Sequence, residues 1–245
     1  MPTITVFKFE QLSNISEICK SLNGKRFDDC WLTARVSKYN DKEVYIQFWY
    51  YESVEENLRK VFAEDDAHEI VSFLKENGKS KVLKRTYCFI NFLTKTLEIY
   101  RGSDEKTEKM LSIFESLLKT KFSQLNIKSE DLKKIYSEHG IELKQAMFKN
   151  IDGLIYYILR GNCLENNEKF KEYLETSLSS LRVISFRPRI RFLNDHNKYQ
   201  VTINGDKGTI RLSGNEIFQW RPRFEIRQIV FIVVATLGLL TKHSA

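Results

Sequence analysis

The sequence predicts an α+β fold: two antiparallel β-sheet units backed by helices and joined by a helical middle segment. Three observations predict it. Alternating, β-rich runs come in adjacent pairs split by short polar turns: Trp31–Tyr39 with Glu43–Glu52, and Val82–Phe92 with Thr96–Arg101. Each pair is followed by a run with apolar residues three and four apart, the helical spacing. The last quarter of the chain again reads as strands joined by tight turns, then as an apolar helix. Strands joined by so few residues can only pair antiparallel. The expected organisation is an N-terminal α+β unit over 1–125, a helical middle over 126–180, and an arginine-rich β-meander with a buried helix over 181–245.

In chain order, Thr3–Glu10 alternates as a strand, and Ser13 caps a short helix that places Ile15, Ile18, Cys19 and Leu22 on one face. The first hairpin turns at Asn40–Asp41–Lys42. Residues 53–77 read as one broken helix or two short ones, ended by Gly78. The second hairpin turns near Thr94–Lys95. Ser103 then caps a helix whose Met110, Ile113, Phe114, Leu117 and Leu118 face the hairpin. Residues 129–180 read as helical, with Ile151–Leu159 as a very apolar stretch within them. Beyond it, Leu181–Phe192 is a strand. Tyr199–Asn204 and Thr209–Leu212 flank the turn Gly205–Asp206–Lys207–Gly208. Ile217–Trp220 follows, and Pro222 opens a helix to about Leu240. Its apolar run of 12 residues, Ile229–Leu240, is short of the roughly 20 that a membrane span needs, so a core helix is expected.

The stretch FINFLTKTLEIYRGSDEKTEKMLSIFESLL, strand–turn–strand–helix, resembles one half-repeat of the TATA-binding-protein fold, with Thr94–Lys95 at the turn where that family usually has Ser-Gly. The resemblance covers about thirty residues and implies a curved antiparallel sheet backed by helices. A fold does not by itself assign a function.

The charge is unevenly placed. Of 39 Lys+Arg and 32 Asp+Glu in the 245-residue chain, residues 1–180 hold 28 of each, so the whole excess of +7 lies in 181–245. The basic residue changes as well, from 22 Lys and 6 Arg before residue 181 to 3 Lys and 8 Arg after it. Arginine recognises phosphate and carboxylate bidentately, so the change points to a contact surface. The four cysteines, Cys19, Cys30, Cys88 and Cys163, form no C-x-x-C pair and read as reduced thiols. With no signal-peptide pattern at the N-terminus, an intracellular protein, cytoplasmic or nuclear, is expected.

Two Arg-Pro-Arg triplets mark where to look, since they hold two of the three prolines. In the first, strand alternation sets Arg187, Arg189 and Arg191 on one face and Ile184, Phe186, Ile190 and Phe192 on the other. Pro188 removes a ladder donor and predicts an edge or bulged strand. Gln200, Thr202, Thr209 and Arg211 join the arginines on the outward face of the meander. In the second, Pro222 starts a helix with Arg221, Arg223 and Arg227 around its amino end, a candidate anion site. Trp220 and Phe224 stand beside it.

Other constellations are weaker. Glu64, Asp65, Asp66, His68 and Glu69 fit the acidic start of a helix better than a metal site. Asp131 with Glu142-Leu143-Lys144 matches the spacing of a metal-dependent nuclease core, which needs strands where this segment reads as helix. The run Phe48–Trp49–Tyr50–Tyr51 alternates faces, which allows at least one pair of its rings to be exposed, with core packing as the default expectation. The sequence predicts no catalytic residue, metal or cofactor. Its functional expectation is non-catalytic binding of nucleic acid, duplex DNA first, through Arg187, Arg189, Arg191, Arg211, Arg221, Arg223, Arg227, Gln200 and Thr202. The alternatives are a protein–protein module that docks an acidic partner on the same basic face, and the nuclease. No membrane association is expected, and oligomeric state is open.

Overall fold

The paired runs of the sequence do pair, and they join into one sheet. The computed structural model describes residues 3–38, 40–58, 64–101, 104–189, 199–213 and 223–239. The N-terminal half supplies β1 (Thr3–Lys8), α1 (Ile15–Leu22), β2 (Arg26–Phe27), β3 (Cys30–Val36) and β4 (Glu43–Ser53). It continues with α2 (Val54–Leu58), α3 (Glu64–Glu76), β5 (Lys81–Asn91), β6 (Thr96–Arg101) and α4 (Asp104–Leu118). The C-terminal half supplies β7 (Ser123–Gln124), α5 (Ser129–His139), β8 (Gly140–Ile151), β9 (Leu154–Arg160) and α6 (Glu168–Thr176). It ends with β10 (Leu181–Pro188), β11 (Gln200–Asn204), β12 (Thr209–Ser213) and α7 (Arg223–Thr236).

The strand order is β2-β3-β4-β5-β6-β1-β12-β11-β10-β8-β9, antiparallel throughout, with β7 beside β1. The α+β class therefore holds, but the two sheet units are halves of one sheet. The seam is β1. It pairs with β6 along its length on one side. On the other it pairs first with β12 (Thr3↔Arg211 to Thr5↔Thr209) and then with β7 (Phe7↔Gln124). The helical middle is also corrected: β8 and β9 lie inside it, and the apolar stretch read as helix is β9.

Helices cover opposite faces in the two halves. On one face, here the front, Ile18 and Leu22 of α1 and Met110 and Phe114 of α4 bury Leu32, Ile46, Cys88, Ile90 and Leu97. On the back, Leu132 and Ile135 of α5, Phe170 of α6 and Val230 and Val233 of α7 bury Ile4, Phe148, Ile184, Val201 and Ile210. Packing α4 on the second hairpin was legible in its spacing, and strand–turn–strand–helix is realised as β5, β6 and α4, with Lys95 at φ 51° in the turn.

Local details differ in three places. The cap of α1 is Asn14, whose Oδ1 accepts from the Glu17 amide at 3.0 Å, not Ser13. Strand β10 is interior, between β11 and β8, so Pro188 marks a bulge and not an edge: the register shifts between Arg187 and Pro188. Helix α7 ends at Thr236, and no helix among the described residues is long and apolar enough to cross a membrane. Ser103, Pro222 and the strand expected at 217–220 lie outside the described residues.

Candidate nucleic-acid interface

The meander presents the outward residues that alternation requires. Val201, Ile203, Ile210 and Leu212 are buried on the back, and Thr202, Thr209 and Arg211 face forward. The Thr202 hydroxyl hydrogen-bonds Ser185 Oγ at 2.7 Å, and the Gln200 side-chain amide donates to the same oxygen. Both polar side chains thus brace β10 against β11.

In the first arginine row, Arg187 is engaged by a carboxylate. Arg187 reaches Glu142 Oε2 at 3.1 Å, and Lys144 meets Oε1 of the same carboxylate at 2.5 Å. Lys144, then Arg187 as a second cation, hold the Glu142 carboxyl below its ordinary range, against the opposing effect of burial. Arg189 lies past the end of β10 and donates from Nε to the Gly140 carbonyl at 3.0 Å. Arg191 and Arg221 are outside the described residues, and Arg223 is placed only as the first residue of α7.

Arg227 corrects the anion-site expectation. Its guanidinium donates to Glu43 Oε1 at 2.8 Å, to Glu98 Oε2 at 3.0 Å and Oε1 at 2.9 Å, and also to Glu43 Oε2. It stacks 3.8 Å from the centre of the Phe89 ring. Burial alone would push this guanidinium down, but Glu98 and Glu43 more than offset it and hold the group above its ordinary value. Glu43 is 1% exposed. The Tyr100 hydroxyl donates to Glu98 and the Asn91 amide to Glu43, but two buried carboxylates also need a cation, and α7 supplies it. The triad floors a cleft of ≈ 420 Å³ lined also by Asn91, Thr94, Thr96 and Phe231.

The nuclease reading is also revised. Glu142 and Lys144 do stand on a strand, β8, contrary to the helical expectation, but Asp131 lies on α5. Among the described residues no group of three or more His, Cys, Asp or Glu could hold a metal ion. His68 and Glu69 sit in α3.

A second surface, only half seen in the sequence, lies on the back of β3, β4 and β5. The register aligns Trp31 with Trp49 and Trp49 with Arg85. The two indoles stack, ring centres 5.9 Å apart and planes within 4°, and neither belongs to a hydrophobic core. Exposed Tyr51 lies 5.8 Å from Trp31. The Arg85 guanidinium sits over both Trp49 (4.9 Å) and Tyr87 (5.0 Å), and Arg35 sits over Tyr45 (5.3 Å). Phe48 points the other way, into the front core. So alternation of the Phe48–Tyr51 run was informative, and the pairing with Trp31 and Arg85 came from register. The only carboxylate that the register sets on this face of β3–β5 is Glu43, and both its oxygens are held by Arg227. Arg35 and Arg85 are exposed and form no salt bridge among the described residues. The surface is therefore basic and aromatic, with planar groups held on rigid strands. No protein-family model and no curated protein matches this sequence.

Proposed function

We propose that the protein is a non-catalytic nucleic-acid-binding protein and that it binds unpaired bases on the back of β3–β5. The observation that carries this is the stacked Trp31–Trp49 pair outside both cores, with Arg85 over Trp49 and Arg35 over Tyr45 farther along the same face. Sheet-borne aromatics interleaved with arginine suit single strands, because every base has a face to stack and each phosphate a cation to meet. Duplex DNA, the first expectation, is less favoured: paired bases offer no free faces, and Arg187 and Arg227 are engaged by Glu142, Glu43 and Glu98.

The test is fluorescence anisotropy with a labelled strand of about 20 nucleotides and its duplex, at about 50 and 200 mM salt, where phosphate contacts register. The strand binds more tightly than the duplex, and Trp49→Ala weakens it roughly 5- to 150-fold, the equivalent of about 1–3 kcal/mol per stacked base. Absence of binding to either at 50 mM salt refutes the reading and leaves an acidic protein partner as the occupant of the basic faces.

A further inference from the structure

The sheet ends differently on its two sides. One end is β2, two residues long. The other is β9, seven residues (LIYYILR), which pairs only with β8 among the described residues. Globular proteins blunt edge strands with lysine, proline, a bulge or shortness, because an open edge templates another strand. Strand β9 uses none of these. Its single charge is the terminal Arg160, and its ladder to β8 keeps one register from Gln145↔Arg160 to Ile151↔Leu154, with no bulge. Leu154, Ile155, Tyr156 and Ile158 are 48, 69, 53 and 46% exposed. They occupy both faces, since Tyr157 aligns with core residue Phe148 and its neighbours alternate about it.

The backbone is aimed outward as well. The Gly161 amide donates to the Lys144 carbonyl at 3.1 Å. In an antiparallel ladder that bond turns the groups of Tyr157 and Leu159 toward β8 and those of Tyr156, Ile158 and Arg160 away from it.

We propose that β9 pairs antiparallel with β9 of a second copy of this chain, about a two-fold axis at Tyr156. The occupant is a second copy because the strand is self-complementary in this register. Leu154 then faces Ile158, and Ile155 faces Tyr157. Arg160 of each copy reaches the hairpin turn of the other, where Asp152 lies. Apolar residues meet apolar ones, and each terminal cation meets an acid, twice by symmetry. Arg160 is exposed and makes no ion pair among the described residues. Moving the axis to Tyr157 would set Arg160 against Leu154 and lose the match. The pairing rests on β9 alone and does not depend on nucleic-acid binding.

The test uses the full chain carrying Cys163→Ser, since Cys163 is the exposed free thiol among the four cysteines. Sedimentation at roughly 5 to 100 µM gives twice the 29.0 kDa chain mass. Tyr156→Lys, which would set two lysines opposite each other, shifts the protein to monomer with its circular dichroism unchanged. Under mild oxidation Tyr156→Cys cross-links two chains and Ile158→Cys does not. A monomer throughout the concentration range, a dimer indifferent to Tyr156→Lys, or cross-linking through Ile158→Cys in place of Tyr156→Cys overturns the proposal.

Discussion

Arg227 lies 184 residues from Glu43 and 129 from Glu98, and its donors reach both carboxylates. Removing one member of a buried ion set leaves the others uncompensated, which is worth about 3–5 kcal/mol. Arg227→Ala therefore lowers stability by about that much in urea denaturation, and adding Glu43→Gln recovers part of it by deleting one stranded charge. Glu142 makes a pH-dependent contribution. Its carboxyl is held below the ordinary range of about 4.3, so the stability it adds is full above that value and fades as pH falls through the lowered one. Wild type is therefore more stable than Glu142→Gln near neutral pH, and the gap closes in acid; a gap that widens on acidification contradicts the assignment. The Glu142 partner of Arg187 was not legible in the sequence, because the two meet only through the β10–β8 register. Of the expected arginine face, Arg187 is engaged by Glu142, Arg189 lies past the end of β10, and Arg191 lies outside the described residues.

Among elements, those with local signals were legible. The turn Gly205–Gly208 is an example: Gly208 has φ 51°, and a Cβ there would run into the Leu125 carbonyl. Gly208→Ala combines strain with a clash and lowers stability by more than about 1 kcal/mol, measurable as a shift in the unfolding midpoint. Strands β8 and β9 were misread for two separate reasons. Strand β8 is built from Leu, Lys, Gln, Ala and Met, which are good helix formers; pairing on both sides, with β10 and β9, overrides that preference. Strand β9 is apolar on both faces, so it lacks the alternation that marks a half-buried strand. Half of the aromatic surface was legible, since alternation separates Trp49 and Tyr51 from Phe48. Its partner Trp31 lies across a turn and Arg85 on a third strand, and only the ladder unites them.

For the whole molecule, the seam at β1 decides the organisation. The first strand of the chain bonds the last strands as well as β6, with the Val6 amide donating to the Gly208 carbonyl at 3.1 Å. A chain split at residue 125 would strip β12 of one of its two neighbours and take Ile4, Val6, Tyr87, Phe89, Tyr100 and Leu125 out of the back core. Residues 126–245 made alone therefore lack a cooperative unfolding transition, and mixing them with residues 1–125 restores one; an independently cooperative C-terminal fragment would show that the halves are separate domains. The same architecture leaves the Trp31–Trp49 surface on the half whose helices pack on the opposite face. The measurement that tests this most directly is tryptophan fluorescence in a Trp220→Phe background, which leaves Trp31 and Trp49 as the only emitters, titrated with an unlabelled single strand. Saturable quenching, lost in Arg85→Ala together with binding, is the predicted result. Emission that stays constant while anisotropy reports binding would place the nucleic acid elsewhere and contradict the account.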